Sequence, residues 1–285
     1  MNTVLQGVGK TVTIGTDLPT VMIGERINPT GRKVFSAELQ AGDLSRIARD
    51  ADEQIKAGAA VLDVNVGAVG VDEVNLLPQA ITIVQEAFDV PICIDSASPA
   101  ALEAGLKATK GIALINSVNG EEDKLTHVLP LVAEYGAAVI ALCMDDRGIP
   151  RTTQERVAIA EKILERAARL GITPDRVVFD PLVMTISTDE QSALVTADTA
   201  RQIRAQFGSN MTIGASNASH GMPNRELLNT IILSMMISAG VNAPICNPLK
   251  NALAVRAIDL VLGRDELGMQ YIRTFRALEA LKPQA

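Results

Sequence analysis

The sequence predicts an α/β fold, a single closed (β/α)8 TIM barrel, and three observations lead there. Short Val/Ile/Leu runs alternate eight times with helix-like stretches along 285 residues, without a linker, a low-complexity stretch or a block of like charge, as repeated βα units require. The core must be aliphatic, since 47% of residues are hydrophobic, 2% aromatic and none Trp, a composition suited to parallel strands sheathed by helices. Most of the apolar runs also stop abruptly on an acid or an amide, at Glu25, Asp63 and Asn65, Asp95, Asn116, Asp180 and Asn217. An open doubly wound sheet would need a break in the alternation, and there is none.

Taken in order, residues 1–20 form an N-terminal segment capping the barrel, in which VLQGVGKTVTIG reads as a short hairpin over the amino-terminal mouth. Gly7-Val8-Gly9-Lys10-Thr11 is a turn rather than a phosphate loop, because G-x-x-x-x-G-K-[ST] needs glycine at position 4, where Val4 stands. Residues 21–285 are the barrel itself. Its strands are expected near 21–25, 60–65, 91–95, 112–116, 138–143, 177–180, 211–216 and 243–246. Helices are expected near 43–58, 73–89, 99–109, 121–135, 152–170, 193–207, 223–239 and 249–262, with an extra C-terminal helix near 264–281 packed outside. The first shows the helical period, with Leu44, Ile47, Ala48, Ala51 and Ile55 on one stripe and Arg46, Arg49, Asp50 and Glu53 opposite. Gly58, Gly136 and Gly171 stand where helices should end in left-handed caps. Thr152 or Thr153 and Pro223 supply start signals.

A net charge of −7 and a pI near 5.0 exclude a chain that holds nucleic acid by neutralising phosphates. No apolar stretch reaches the length of a membrane span; Leu227 to Val241 is interrupted by Asn229, Thr230, Ser234, Ser238 and Gly240. Residues 1–20 lack the apolar core of a signal peptide, so the expected location is cytoplasmic. Cys93, Cys143 and Cys246 lie singly inside apolar runs, as small buried hydrophobes do. Two histidines, His127 and His220, fit neither a metal site nor a catalytic triad, and no metal is expected.

The polar strand ends carry the functional signal. A carboxylate taken out of water without a partner costs several kcal/mol, and the carboxyl ends of parallel barrel strands open onto one face, where such barrels place their chemistry. Glu25 and Arg26 at one tip exceed what the Asn28-Pro29-Thr30-Gly31 turn requires. Asp63 and Asn65 project from the same side of a strand, because side chains alternate with period two. Asp95-Ser96, Asn116-Ser117 and Asp180-Pro181 repeat the pattern. Each alone reads as a helix cap; together they describe a shared pocket. Acids at barrel tips also suit Mg²⁺, a reading weakened by the interleaved amides. With Arg26 almost the only cation, the expected ligand is a flat, neutral, hydrogen-bonding ring rather than a polyphosphate.

GERINPTG, LDVNVG, ICIDS, INSVNG, FDPLV and GASNASHGMPNR, in this order from about Val21 to about Val261, resemble the pterin-binding methyltransferases that act on methyltetrahydrofolate and a corrinoid. They are also similar to the folate module of cobalamin-dependent methionine synthase. The resemblance implies methyl transfer between nitrogen 5 of tetrahydrofolate and the cobalt of a corrinoid (cobalamin), in either direction. It implies that Asp95, Asn116 and Asp180 bind the pyrimidine edge of the pterin, and that Asn217 sits beside nitrogen 5. Asn217, Asp95 and Asp180 are then the catalytic candidates, and Glu25, Asn28, Asp63, Asn65 and Ser96 belong to the same pterin site. Because the chain lacks the Asp-x-His-x-x-Gly string of corrinoid carriers, the corrinoid must arrive on a partner protein. A homodimer is also implied, with Met235 and Met236 on the helix 223–239 as a candidate contact set against ordinary packing in the barrel sheath. Dihydropteroate synthases share the barrel but carry Ser-Arg-Lys after the seventh strand, where this chain reads Ser216-Asn217-Ala218. That synthase and a non-catalytic folate-binding barrel are the alternatives.

Overall fold

The computed structural model describes residues 1–214, 216 and 218–281. An antiparallel hairpin, β1 (Asn2–Gln6) and β2 (Thr11–Gly15), precedes a sheet of seven parallel strands. These are β3 (Ile23–Ile27), β4 (Val61–Val64), β5 (Ile92–Asp95), β6 (Leu114–Asn119), β7 (Ala138–Leu142), β8 (Val177–Asp180) and β9 (Ile245–Cys246), in the order β8-β7-β6-β5-β4-β3-β9. The gap between β8 and β9 is filled by the segment from Asn210 to Gly214. Phe179 exchanges backbone bonds with Asn210 and Thr212 on one side, and Asn242, Ala243 and Ile245 donate to Met211 and Ile213 on the other. Eight segments thus form the ring. The expected seventh strand, 211–216, is held by isolated bridges rather than a regular ladder, and the eighth shortens to two residues.

Strand parity sorts the core into two parts, as it does in any barrel. Leu62, Val64, Ile92, Ile94, Ile115, Val139, Val177 and Phe179 face the helices in the larger cluster. Ile23, Val61, Cys93, Leu114, Ala138, Ile140 and Val178 face inward with Leu5, Val12 and Ile14 of the hairpin. The hairpin is therefore a plug for the amino-terminal mouth. Its edge pairs with Ile112, and Thr3 donates to the Asp175 carbonyl at 2.5 Å. Two buried amides clasp it: Asn210 Nδ2 donates to Thr3 Oγ1 and to the Ile14 carbonyl, each at 2.9 Å, and Asn242 Nδ2 to the Gly15 carbonyl at 3.0 Å and Asn210 Oδ1 at 2.8 Å.

The helices are α1 (Lys33–Gln40), α2 (Ser45–Lys56), α3 (Glu73–Ala87), α4 (Pro99–Ala108), α5 (Glu122–His127), α6 (Leu129–Tyr135), α7 (Thr153–Arg169), α8 (Ser192–Phe207), α9 (Arg225–Ser238), α10 (Pro248–Val261) and the outer α11 (Met269–Ala280). Gly58, Gly136 and Gly171 take positive φ, as expected of caps, and the Thr152 hydroxyl accepts from the Glu155 N–H. Four details differ from expectation. α1 is additional, in the long loop after β3. The 121–135 helix breaks at Val128, because Pro130 has no N–H to continue the ladder and its ring crowds the carbonyl four residues back. Pro223 lies outside α9, which starts after Asn224 in a left-handed conformation. Met236 is fully buried and Met235, half-buried, packs against the main cluster, so both side chains serve the barrel sheath. Among the described residues no helix is long and apolar enough to cross a membrane.

Replacing Asn242 with alanine would leave the Met211 N–H, the Gly15 carbonyl and Asn210 Oδ1 without their partner. Urea unfolding should show a loss of about 2–4 kcal/mol. A loss below about 0.5 kcal/mol, the usual effect of a neutral surface change, would mean that apolar contact alone seats the plug.

Candidate active site

Two residues beyond the last inward apolar layer, the same inward register carries polar side chains: Ile23 is followed by Glu25, Val61 by Asp63, Cys93 by Asp95, Leu114 by Asn116 and Val178 by Asp180. On β3 a bulge between Gly24 and Ile27 inserts one residue relative to β4. The backbone groups it frees at Arg26 are taken by side chains: Gln54 Oε1 accepts the Arg26 N–H at 2.8 Å, and Arg32 donates to the Arg26 carbonyl. Gly24 is required for this approach, since a Cβ there would stand 2.5 Å from Gln54 Oε1.

Glu25, Arg26, Asn28, Asp63, Asp95 and Asn116 line one cleft of about 480 Å³, together with Ser216, His220, Arg225 and Asn247. Amides bridge the acids. Asn65 Nδ2 donates to Asp95 Oδ2 at 2.9 Å, Asn28 Nδ2 to the same oxygen at 3.5 Å, and Asn116 Nδ2 to Asp63 Oδ1 at 3.1 Å. Glu25 Oε2 accepts from the Ser216 hydroxyl at 3.3 Å. Arg225 reaches across its own loop to the Ser216 carbonyl at 2.7 Å and Ser219 Oγ at 3.2 Å. Among the described residues Arg26 Nε is buried without a partner, a donor left for something the cleft would hold.

Asp180 opens into an adjoining cleft of about 360 Å³ with Leu182, Met184 and Gly214, and Gly214 lines both spaces. Its carboxylate accepts from the Leu182 N–H at 2.8 Å and from the Gly214 N–H. The turn beneath it holds Leu182 at φ 59, a conformation costing a non-glycine residue on the order of 1–3 kcal/mol. Arg156, itself buried, pins that turn through the Pro181 carbonyl at 2.8 Å and the Leu182 carbonyl at 2.6 Å.

Burial dominates the titration of these acids. It lifts Glu25 to about 7, against the opposing pull of the Ser216 bond and Arg26. It lifts Asp180 to about 6, against the two backbone donors and Arg156. Asp63 stands well above the carboxylate range through burial first and the neighbouring Asp95 second, and Asp95 is raised by burial. Near neutral pH the cleft therefore offers both O–H donors and carboxylate acceptors.

Of the residues singled out in the sequence, Glu25, Asn28, Asp63, Asp95 and Asn116 share the main cleft. Asn65 stands behind Asp95, and Asp180 faces the adjoining space. Ser96 is turned away, donating to Glu73 Oε2 at 2.5 Å, although it lines a small recess with Asp95 and Asn116. Asn217 lies outside the described residues. Arg225 corrects the expectation that Arg26 is almost the only cation at the mouth, and Ser216, His220 and Asn247 were not anticipated; all four follow the irregular seventh and short eighth strands, where periodicity is weakest. Asn247 caps α10, and Arg225 closes the GASNASHGMPNR string, the signal that could have marked it. Among the described residues no group of three or more His, Cys, Asp or Glu side chains is arranged to hold a metal ion.

Residues 24–247 match the family model for pterin binding enzymes. The methylcorrinoid:tetrahydrofolate methyltransferase of Eubacterium limosum is 33% identical over 261 residues, covering 90% of this chain and 96% of that protein. The methionine synthase of Mycobacterium tuberculosis is 32% identical over 247 residues, 82% of this chain but only 21% of that much longer protein. Among solved structures, a Yersinia pestis dihydropteroate synthase with a pterine-sulfa conjugate superposes with a TM-score of 0.69 at 16% identity, over 92% of this chain and 100% of that one. This last likeness is one of fold.

The raised carboxyls fix the sign of the pH dependence of stability. Glu25 and Asp180 hold their protons to higher pH in the folded chain than in the unfolded one, so folding is favoured at low pH and this contribution fades as pH rises through about 6 to 7. The melting temperature should fall between pH 5 and pH 8, and the Glu25→Gln/Asp180→Asn double variant should flatten that slope. An equal slope in wild type and variant would show that other groups set it.

Proposed function

Since the chain belongs to the family of pterin binding enzymes, we propose that it is a methyltransferase moving a methyl group between nitrogen 5 of tetrahydrofolate and the cobalt of a corrinoid on a partner protein. The observation that carries this reading is the 33% identity, over nearly the full length of both chains, to a relative named for that reaction. The dihydropteroate synthase alternative has a likeness of fold behind it and no more.

In this reading the pterin lies across the carboxyl end of the barrel. Asp95, Asn116 and Asp180 meet its pyrimidine edge, where a ring that presents N–H, amino and carbonyl groups needs acceptors and donors side by side. Asn65 and Asn28 hold Asp95 in place, and Asn116 is itself tied to Asp63. Arg26 and Arg225, which both line the cleft, suit the more electronegative parts of the substrate. The corrinoid substrate supplies the cobalt that accepts or gives the methyl group. A neutral tertiary amine is a poor leaving group, so nitrogen 5 must carry a proton as the methyl group departs. Asn217 would turn its carbonyl oxygen toward that proton, stabilising the charge without supplying it. The same site serves both directions, as microscopic reversibility demands. The resemblance of the motifs to the methyltransferase family is also the ground for a cytoplasmic homodimer; light scattering of the purified protein would test the dimer.

The test is to mix the protein with methyltetrahydrofolate and cob(I)alamin, and separately with tetrahydrofolate and methylcob(III)alamin, and to follow the cobalamin spectrum. Methyl exchange is expected in both mixtures; folate binding with no exchange in either would refute the enzyme. Asp95→Asn and Asp180→Asn should each weaken folate binding about tenfold or more, equivalent to about 1.4 kcal/mol. Asn217→Ala should instead slow transfer while leaving most of the folate affinity.

A further inference from the structure

We propose that Glu25 is the proton carrier of the reaction, giving a proton to nitrogen 5 as the methyl group leaves and taking it back when a methyl group arrives. This rests on the methyl-transfer reading and adds the identity of the acid that the chemistry needs.

Four carboxyls stand at the mouth, and three are committed. Asp63 is 1% exposed, tied to Asn116 at 3.1 Å and to the Cys93 thiol beside it, and lies at the floor of the cleft. Asp95 is engaged by Asn65, Asn28 and Asp63. Asp180 is 6% exposed and held by two backbone N–H groups, in the adjoining space. Glu25 differs. Among the described residues its carboxyl has one long contact, the 3.3 Å bond from Ser216, and its other oxygen is turned to no partner. Ser216, which touches this carboxyl, directly precedes in sequence Asn217, the residue that the methyl-transfer reading assigns to nitrogen 5.

The surroundings suit a group that must both load and unload. Arg26 on its own strand favours the ionised form; Arg225 and His220 line the same cleft, as do Asp63 on β4 and Asp95 on β5, and Cys246 on β9 lies close by. Burial outweighs the Ser216 bond and Arg26 and leaves the carboxyl balanced near neutrality, which is the condition for efficient proton transfer in either direction.

The step balances. As methyltetrahydrofolate gives up its methyl group, the bond between nitrogen 5 and the methyl carbon breaks with its electron pair remaining on nitrogen, which has taken the Glu25 proton. The methyl carbon bonds to the Co(I) substrate, which becomes methyl-Co(III). Tetrahydrofolate leaves with N–H at nitrogen 5, and Glu25 is left as carboxylate, to be reprotonated by solvent through the open mouth.

The experiment is stopped-flow transfer from methyltetrahydrofolate to cob(I)alamin between about pH 5.5 and 8.5, with wild type, Glu25→Gln and Glu25→Asp, alongside equilibrium dialysis of methyltetrahydrofolate. The wild-type rate should fall as pH rises through about 7, and Glu25→Gln should lose about 10²–10⁴-fold in rate and that inflection, with folate affinity within about threefold. Glu25→Asp should regain part of the rate with the inflection displaced. A Glu25→Gln rate near wild type with the same inflection would overturn the assignment while leaving methyl transfer intact. Should Glu25→Gln not fold, an unmoved inflection in Glu25→Asp would overturn it equally. A wild-type protein that transfers no methyl group at any pH removes the underlying reading, and the assignment with it.

Discussion

Glu25, Asp63, Asp95, Asn116 and Asp180 all occupy inward positions two residues past the apolar layer of the barrel, and giving these half-buried or buried polar groups their partners constrains everything around them. Strand parity admits no compromise: a slip of one residue would send each polar group into the helix sheath and each outward aliphatic into the mouth. The bulge in β3 shows how finely this is met. It leaves Arg26 without ladder partners, and Gln54 and Arg32 from the helical side supply what the ladder no longer does.

The mouth escapes the electrostatic penalty of crowded acids by two means. One is protonation, since burial holds Asp63, Asp95, Asp180 and Glu25 above the ordinary carboxylate range. The other is the alternation of acid with amide, so that Asp63 receives an N–H from Asn116 on β6 and Asp95 one from Asn65, just past β4. Such a network is polar yet nearly neutral, and it is rigid because its members fix one another. That combination suits a planar heterocycle, whose edge groups need exact partners, better than it suits a highly charged ligand.

Much of this was legible in the sequence because period two is a local property. Apolar runs ending on Glu25, Asp63, Asp95, Asn116 and Asp180 announced both the strands and the side they share. What was not legible depends on tertiary closure. The seventh place, around Met211 and Ile213, makes too few ladder bonds to need a strand-like sequence. α1 lies in a loop whose helical character has little periodic signal, and Arg225 and His220 reach the cleft only because the chain folds back after that seventh place. Nor does spacing reveal that Asp180 faces an adjoining space, since that depends on the Leu182 turn and the Arg156 that pins it.

The plug at the amino-terminal mouth has a consequence for the order of events during synthesis. Its strands leave the ribosome early, yet the carbonyl of Gly15 finds its donor on Asn242, 227 residues later. At ordinary rates of translation that is a wait of roughly 10–50 seconds. During it Leu5 and Ile14, both fully buried at the end, have no completed barrel interior to enter. The earliest β-hairpin is thus among the last pieces to be seated, and until then it is an apolar edge for chaperones to cover.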